Sequence, residues 1–275
     1  MTEHHKRLIT AFSGLAVLFT IYFSFRQPGV VFITGLLSLA AYYEFLTMLL
    51  DRHHPAFRLK RLFSLGLAFA NLVVFYFREE LHFAPFFVTI LSILLLALWI
   101  GHHEKTNEAL LAPLKDAMIQ ITGFFYIIVF LQYVPRLHAL PAGPSLLFLL
   151  LLVIWGGDSA AYYGGKNFGR HKLSPLLSPG KSVEGAVTAI LFSLLTAAAL
   201  HFLLLPQIGL WQLCLICALS NIVAQAGDLL ESLVKRAAAV KDSGTIFPGH
   251  GGVYDRFDSL ILAAPFFYFL IQILA

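Results

Sequence analysis

Charge is what this sequence has least of. Asp, Glu, Lys and Arg make up 12% of its 275 residues and hydrophobic types 59%, whereas about 25% charge is usual for a soluble domain. So little charge excludes an ordinary water-exposed surface and places the chain in a bilayer. Cysteine is scarce too. Cys214 and Cys217 are the only two, three apart within one apolar run, and they read as small buried residues on one helix face rather than a redox or metal pair. There is no HExxH or Walker-type loop, and Ser232 has no His and Asp arranged around it as a triad. Serine hydrolysis and P-loop ATP hydrolysis are therefore disfavoured. Long Pro/Ser linkers, low-complexity tails and internal repeats are missing, so no second soluble domain is indicated. The formal net charge of +4 calls for no nucleic-acid partner, because Lys and Arg beside membrane spans have a prior explanation in topology.

What the sequence does have is apolar runs. A run of about 17 to 25 such residues crosses a hydrocarbon core of roughly 30 Å. Nine candidate spans follow, at 8–25, 29–50, 62–77, 84–101, 117–134, 145–163, 183–205, 210–233 and 257–275. The first, behind His4, His5, Lys6 and Arg7, is long enough to span and reads as a retained helix rather than a cleaved signal. Cytoplasmic loops carry the excess of Lys and Arg. With the N-terminus inside, all but Arg26, Arg78 and Arg136 of the nineteen Lys and Arg fall on the cytoplasmic side, Lys60, Lys105 and Lys115 among them. The expected architecture is an all-α polytopic membrane protein with a polar cavity opening to the cytoplasm. Residues 1–116 would form N-terminal transmembrane helices without an assigned role, and 117–275 a C-terminal catalytic region.

The charge that exists is concentrated. Residues 228–258 hold Asp228, Glu231, Lys235, Arg236, Lys241, Asp242, His250, Asp255, Arg256 and Asp258. Helical spacing puts Asp228, Ser232 and Lys235 on one face with Glu231 beside them. Gly244, Pro248, Gly249, Gly251 and Gly252 then dictate a loop. A carboxylate face followed by a glycine-rich loop suits metal ions and phosphates. Asp228 lies deep in an apolar run, one and two turns beyond Gln225 and Asn221, and needs a cation: a metal ion or Lys235. Asp255 and Asp258 flank the start of the last span, where capping would also explain them. His250, between glycines, has no apolar face to serve and suits a phosphate contact or a proton transfer.

A second polar stretch lies at 155–185. Asp158 sits near the end of an apolar run, where an ionisable side chain is a functional candidate by default, pairing with Lys166 being the alternative. Gly164, Gly165, Lys166, Gly169, Arg170, His171 and Lys172 read as a basic, glycine-rich loop. Lys181 precedes Ser182, an expected helix N-cap, with Glu184 in the first turn. The free N–H groups of that turn would equally suit an anion.

Taken together, Ser232-x-x-Lys235-Arg236, Lys241-Asp242-Ser243-Gly244 and Pro248-Gly249-His250-Gly251-Gly252-x-x-Asp255-Arg256-x-Asp258 resemble the signature of phosphatidate cytidylyltransferases. Gly157-Asp158-Ser159-Ala160-Ala161-Tyr162 and Ser178-Pro179 to Glu184-Gly185 are similar to further blocks of that family. Gly180 and Val183 depart from it, replacing a lysine and a tryptophan. The resemblance implies transfer of the cytidylyl group of CTP to phosphatidic acid with Mg²⁺, a second metal or a monovalent cation being a further candidate, in a bacterial inner membrane and with a homodimer as the implied assembly. It implies Asp228 and Asp255 at the metal, with Asp158 or Asp242 supplementary. Lys235, Arg236, Lys241 and Arg256 would face phosphates. His250, Gly251 and Gly252 would approach the nucleotide, with Lys166, Lys181, Ser182, Glu184 and Ser232 as further substrate contacts. The competing readings are a CTP-dependent polyprenol or phytol kinase and a cation-coupled transporter whose path would use Asp158 and Asp228.

Overall fold

The computed structural model describes the backbone of residues 3–77, 84–246 and 251–275, with side chains from Arg26 onward. The helices are α1 (Glu3–Leu49), which is two helices joined across a kink at Arg26 (φ 48°), α2 (Phe57–Phe77), α3 (Ala84–His102), α4 (Leu111–Gly123), α5 (Tyr133–His138), α6 (Gly143–Leu151), α7 (Gly157–Phe168), α8 (Val183–Leu203), α9 (Leu210–Ala237) and α10 (Tyr254–Leu274). A hairpin of β1 (Lys172–Ser174) and β2 (Ser178–Ser182) is the sheet found among them. Among the described residues eight helical stretches are long and apolar enough to cross a membrane, from Arg26–Leu49 to Tyr254–Leu274. The chain is thus an all-α, multi-pass membrane protein. The expected span at 8–25 falls on side chains outside the described residues, as do residues 247–250 with His250.

The chain folds as two compact units. One comprises Met1–Ser24, Val31–Val129 and Asp242–Tyr254. Within it α2, α3 and α4 pack in succession around Tyr42, Leu46, Ala68, Ile93, Phe124 and Ile127, all buried. Helix α2 begins earlier than the apolar run at 62–77 suggests. Lys60, expected in a solvated loop, is instead 1% exposed and meets Asp116 of α4 at 2.7 Å. Its charge is matched inside the helix bundle, so the helix can begin on the basic residues themselves. Ser64 Oγ donates to Gln120 Oε1 at 2.6 Å and Tyr42 Oη to the Gln120 carbonyl at 2.8 Å, leaving little of this polar layer unpaired.

The other unit comprises Phe25–Val30, Phe130–Lys241 and Asp255–Ala275. Here α7 packs on α8 and α8 on α9. Residues 164–172 are not the continuous loop expected from their glycines, because α7 runs on to Phe168. Gly164 serves the packing instead: a Cβ there would lie 2.6 Å from Thr188 Cβ of α8, so only a bare backbone allows the two helices to meet as small-residue interfaces do in membranes. The chain then reverses through the antiparallel hairpin, Lys172 facing Ser182, and re-enters at α8. Ser182 is its N-cap as expected, accepting from the Gly185 N–H at 3.2 Å. Cys217 is buried and Cys214 half-buried, both as free thiols.

Candidate active site

Helix α9 carries the site because its polar residues repeat one helical turn apart on an otherwise apolar rod. Asn221, Gln225 and Asp228 climb one face, and Gln225 Nε2 donates to Asn221 Oδ1 at 2.7 Å. Asn221 Nδ2 in turn donates to the Val153 carbonyl at 3.0 Å. Val153 lies in a π-helical turn, Leu152–Gly156, directly before α7. Such a turn loosens the backbone ladder, and π-bulges gather at functional positions; here an asparagine from α9 satisfies one of its carbonyls. That bond fixes the start of α7, where Asp158 stands in the first turn. Asp158 lies within electrostatic reach of Asp228 and Lys181.

At the upper end of the α9 face, carboxylates converge. One oxygen each of Asp228, Glu231 and Asp258 lies within 4.8 Å of the others. Gly227 makes this possible: a Cβ on it would come 2.8 Å from the Asp258 carbonyl and 3.2 Å from Ser259 Cα. Backbone therefore touches backbone where α9 meets the first turns of α10, and Asp258 is carried to its neighbours.

Two lysines are built into the cluster. Lys181, at the end of β2, forms an ion pair with Asp228. Lys235 lies between two acids, 2.6 Å from Glu231 Oε1 and 3.0 Å from Asp255 Oδ1. The sequence offered Lys235 as a partner for Asp228, but they stand two turns apart, roughly 10 Å along a helix. Glu231, one turn away, is the acid Lys235 reaches. Glu231 and Lys235 are on α9, with Asp255 opposite on α10, so Lys235 joins the first and last blocks of the signature.

The other expected residues are more dispersed. Glu184 accepts from the N–H groups of Arg170 and His171 and pairs with His171 Nδ1 at 2.6 Å, bracing the hairpin. Ser182 is occupied as the cap. Lys166 is exposed in the last turn of α7, and Ser232 is half-buried beside Glu231 in sequence. Arg236, Lys241, Asp242 and Arg256 are exposed. Gly251 adopts a left-handed φ of 81°, while Gly252 is buried in the other unit against Glu44.

The resemblance implies Asp228 and Asp255 as a metal pair. The structure gathers Asp228 with Glu231 and Asp258, and engages Asp255 with Lys235. In the sequence Glu231 reads only as a neighbour on the helix face and Asp258 only as a capping candidate. The available signal was their spacing, since Asp228 and Glu231 at i, i+3 share a face. As a donor set, three carboxylate oxygens at this separation match a hard divalent cation, and the flanking lysines suit phosphate oxygens.

The profile of the cytidylyltransferase family matches residues 5–274. The chain is 44% identical over 131 residues to a phosphatidate cytidylyltransferase of Bacillus subtilis (strain 168), covering 48% of this chain and 49% of that protein. It is 43% identical over 114 residues to one of Staphylococcus haemolyticus (strain JCSC1435), covering 42% and 44%. A third, from Haemophilus influenzae, is 37% identical over 172 residues, covering 58% and 60%. These matches span about half the length of the curated relatives.

Proposed function

Because the chain belongs to the cytidylyltransferase family, we propose that it transfers the cytidylyl group of CTP to phosphatidate. A phosphate oxygen of the lipid attacks the α-phosphorus of CTP. The new P–O–P linkage forms as the bond from that phosphorus to the bridging oxygen breaks, and pyrophosphate leaves with the electron pair. The observation that carries this reading is the carboxylate cluster of Asp228, Glu231 and Asp258 with a lysine on either side.

The lipid phosphomonoester is already anionic near neutral pH, so no strong protein base is required. What the site must do is bring two polyanions together. Asp228, Glu231 and Asp258 would hold Mg²⁺, which when bound supplies positive charge to the phosphates. Lys181 and Lys235 orient phosphate oxygens, each held in place by the carboxylate it already contacts. Asp158, within reach of Lys181, helps fix that ammonium group. Exposed Arg236, Lys241 and Arg256 attract the nucleotide from the aqueous side. The distribution of Lys and Arg supports a site facing the cytoplasm of a bacterial inner membrane, where soluble CTP meets a headgroup whose acyl chains remain in the leaflet.

Incubation of the purified chain with labelled CTP and phosphatidate, with and without EDTA, tests the reading. The expected result is a cytidylyl-labelled lipid and pyrophosphate, both lost with EDTA. Release of CDP with a phosphorylated lipid would instead identify a kinase, and an unreacted nucleotide would remove the enzyme reading. With the reaction established, Asp228→Asn and Asp258→Asn are expected to raise the Mg²⁺ needed for half-maximal turnover by about tenfold or more, the size of effect seen for residues supporting a metal. An unchanged Mg²⁺ dependence in both variants would remove the metal role.

A further inference from the structure

Glu44 is a carboxylate the reaction does not use and the signature does not contain. It lies in the Arg26–Leu49 span, is 3% exposed, and makes no ion pair among the described residues. Isolated buried charge is costly, so its surroundings must compensate it. Two donors do so. Glu44 Oε2 accepts from Ser243 Oγ at 3.1 Å and from the Tyr254 N–H at 2.9 Å. Tyr254 is the first residue of α10, and the first N–H groups of a helix have no intrahelical acceptor and carry the positive end of the helix dipole. The carboxylate therefore sits where a negative charge is most easily held without a cation.

The glycines on either flank of the signature loop are shaped to this side chain. A Cβ on Gly244 would lie 2.7 Å from Glu44 Cδ, and one on Gly252 would lie 2.8 Å from the same atom. Gly244 follows Ser243 and Gly252 precedes Val253-Tyr254. The four contacts thus come in two pairs, one from each flank. Tyr254 is further fixed by edge-on ring contacts with Phe45 and Tyr126, at 5.9 and 6.3 Å between centroids. All of these residues belong to the same compact unit. One oxygen, Glu44 Oε1, has no hydrogen-bond partner among the described residues, so the interaction depends on Oε2 accepting both donors.

We propose that Glu44 is a positioning residue that clasps both flanks of the signature loop, Ser243-Gly244 and Gly252-Tyr254, and so gives a role in turnover to an N-terminal helix. The proposal rests on the functional reading above, because the clasped segment matters to turnover only if the signature is the active site. Asp255, which engages Lys235, is the next residue of the chain after Tyr254.

The test compares Glu44→Ala, Glu44→Gln and Ser243→Ala by amide hydrogen exchange and by steady-state kinetics. Glu44→Ala removes the acceptor for both donors, and turnover is expected to fall roughly ten- to a hundredfold, the range for losing hydrogen bonds to a charged group. Exchange at the Tyr254 amide should rise at least about tenfold, while α7 and α8 exchange as in the wild type. Glu44→Gln keeps a carbonyl oxygen facing the two donors, and should restore most of the turnover and the protection. Ser243→Ala, which removes one donor, should fall between them, which also keeps the test decisive if Glu44→Ala does not fold. Unchanged Tyr254 exchange in folded Glu44→Ala overturns the clasp. Turnover unchanged despite faster exchange overturns the role in catalysis, as does a Glu44→Gln variant as impaired as Glu44→Ala, since charge alone would then be responsible. If the wild type makes no labelled lipid, the functional reading and the role in turnover fall together, while the exchange result still decides the clasp.

Discussion

Lys235→Met is the most informative single change in this molecule, because one ammonium group there serves two acids. Its Nζ lies 2.6 Å from Glu231 Oε1 and 3.0 Å from Asp255 Oδ1, and the three side chains are 17%, 2% and 10% exposed. At an effective dielectric of about 20, Coulomb attraction at these separations is roughly 6 kcal/mol for each pair. Desolvation offsets most of that, so the net worth of the bridge is small. Removing only the cation is different: it takes from Glu231, 2% exposed, the ammonium group it touches, and breaking such a buried pair costs about 3–5 kcal/mol. Methionine preserves the length and apolar stem of lysine, which isolates the charge. Thermal unfolding in detergent can be followed with a thiol-reactive dye that reports exposure of Cys217, fully buried in the native fold. The midpoint should fall steeply for Lys235→Met and recover in part for the double variant Lys235→Met/Glu231→Gln, with a coupling of about 1 kcal/mol or more. A single variant within roughly 0.5 kcal/mol of wild type would mean that the bridge behaves like a surface pair, and the reasoning would be refuted. Absence of any recovery in the double variant would refute it equally.

Two further outcomes follow from the packing. Gly227→Ala should separate α9 from α10, since its Cβ would meet the Asp258 carbonyl at 2.8 Å; a destabilisation of about 1–3 kcal/mol is expected from such overpacking, together with weaker Mn²⁺ binding measured by spin-resonance titration, and wild-type binding would contradict the proposed convergence. In the other unit, Lys60→Met or Asp116→Leu alone should lower the thermal midpoint by the equivalent of about 3–5 kcal/mol, whereas the double variant should come close to wild type, as buried pairs replaced by apolar side chains commonly do. A double variant no better than either single one would show that the pair is needed for more than mutual neutralisation.

The membrane frame was legible because hydrocarbon thickness imposes a run length on any spanning helix. Each expected span from 29–50 onward corresponds to one of the eight helical stretches. The error at the start of α2 is instructive. Arg58, Lys60 and Arg61 look like a solvated loop, and only contact with Asp116, far along the chain, turns Lys60 inward. Local hydropathy contains no trace of that partner. The expected loop at 164–172 failed for a related reason: glycine marks a turn in water, but within apolar surroundings it equally marks close helix contact, and Thr188 on α8 decides the matter for Gly164.

The chemistry was legible as a list of residues and not as a pairing. Asp255 and Asp258 stand three apart on α10, about 60° around the helix from one another. That modest rotation sends Asp255 to Lys235 and Asp258 to Asp228 and Glu231. Glu44 shows what an even application of one rule would have yielded. An ionisable residue within a span is a functional candidate, and the rule that singled out Asp158 and Asp228 applies to Glu44 without change. The acids then sort by what compensates them. Asp116 has Lys60, and Glu44 has a hydroxyl and a helix N-terminus. In the cluster, Lys181 and Lys235 serve Asp228, Glu231 and Asp255, and the acids there outnumber the lysines that contact them once Asp158 and Asp258 are included. Carboxyl groups in excess of their lysine partners are thus concentrated where a divalent cation would serve the proposed reaction between two phosphates. The buried acids elsewhere, each matched by its own partner, act on structure rather than on charge at the reaction centre.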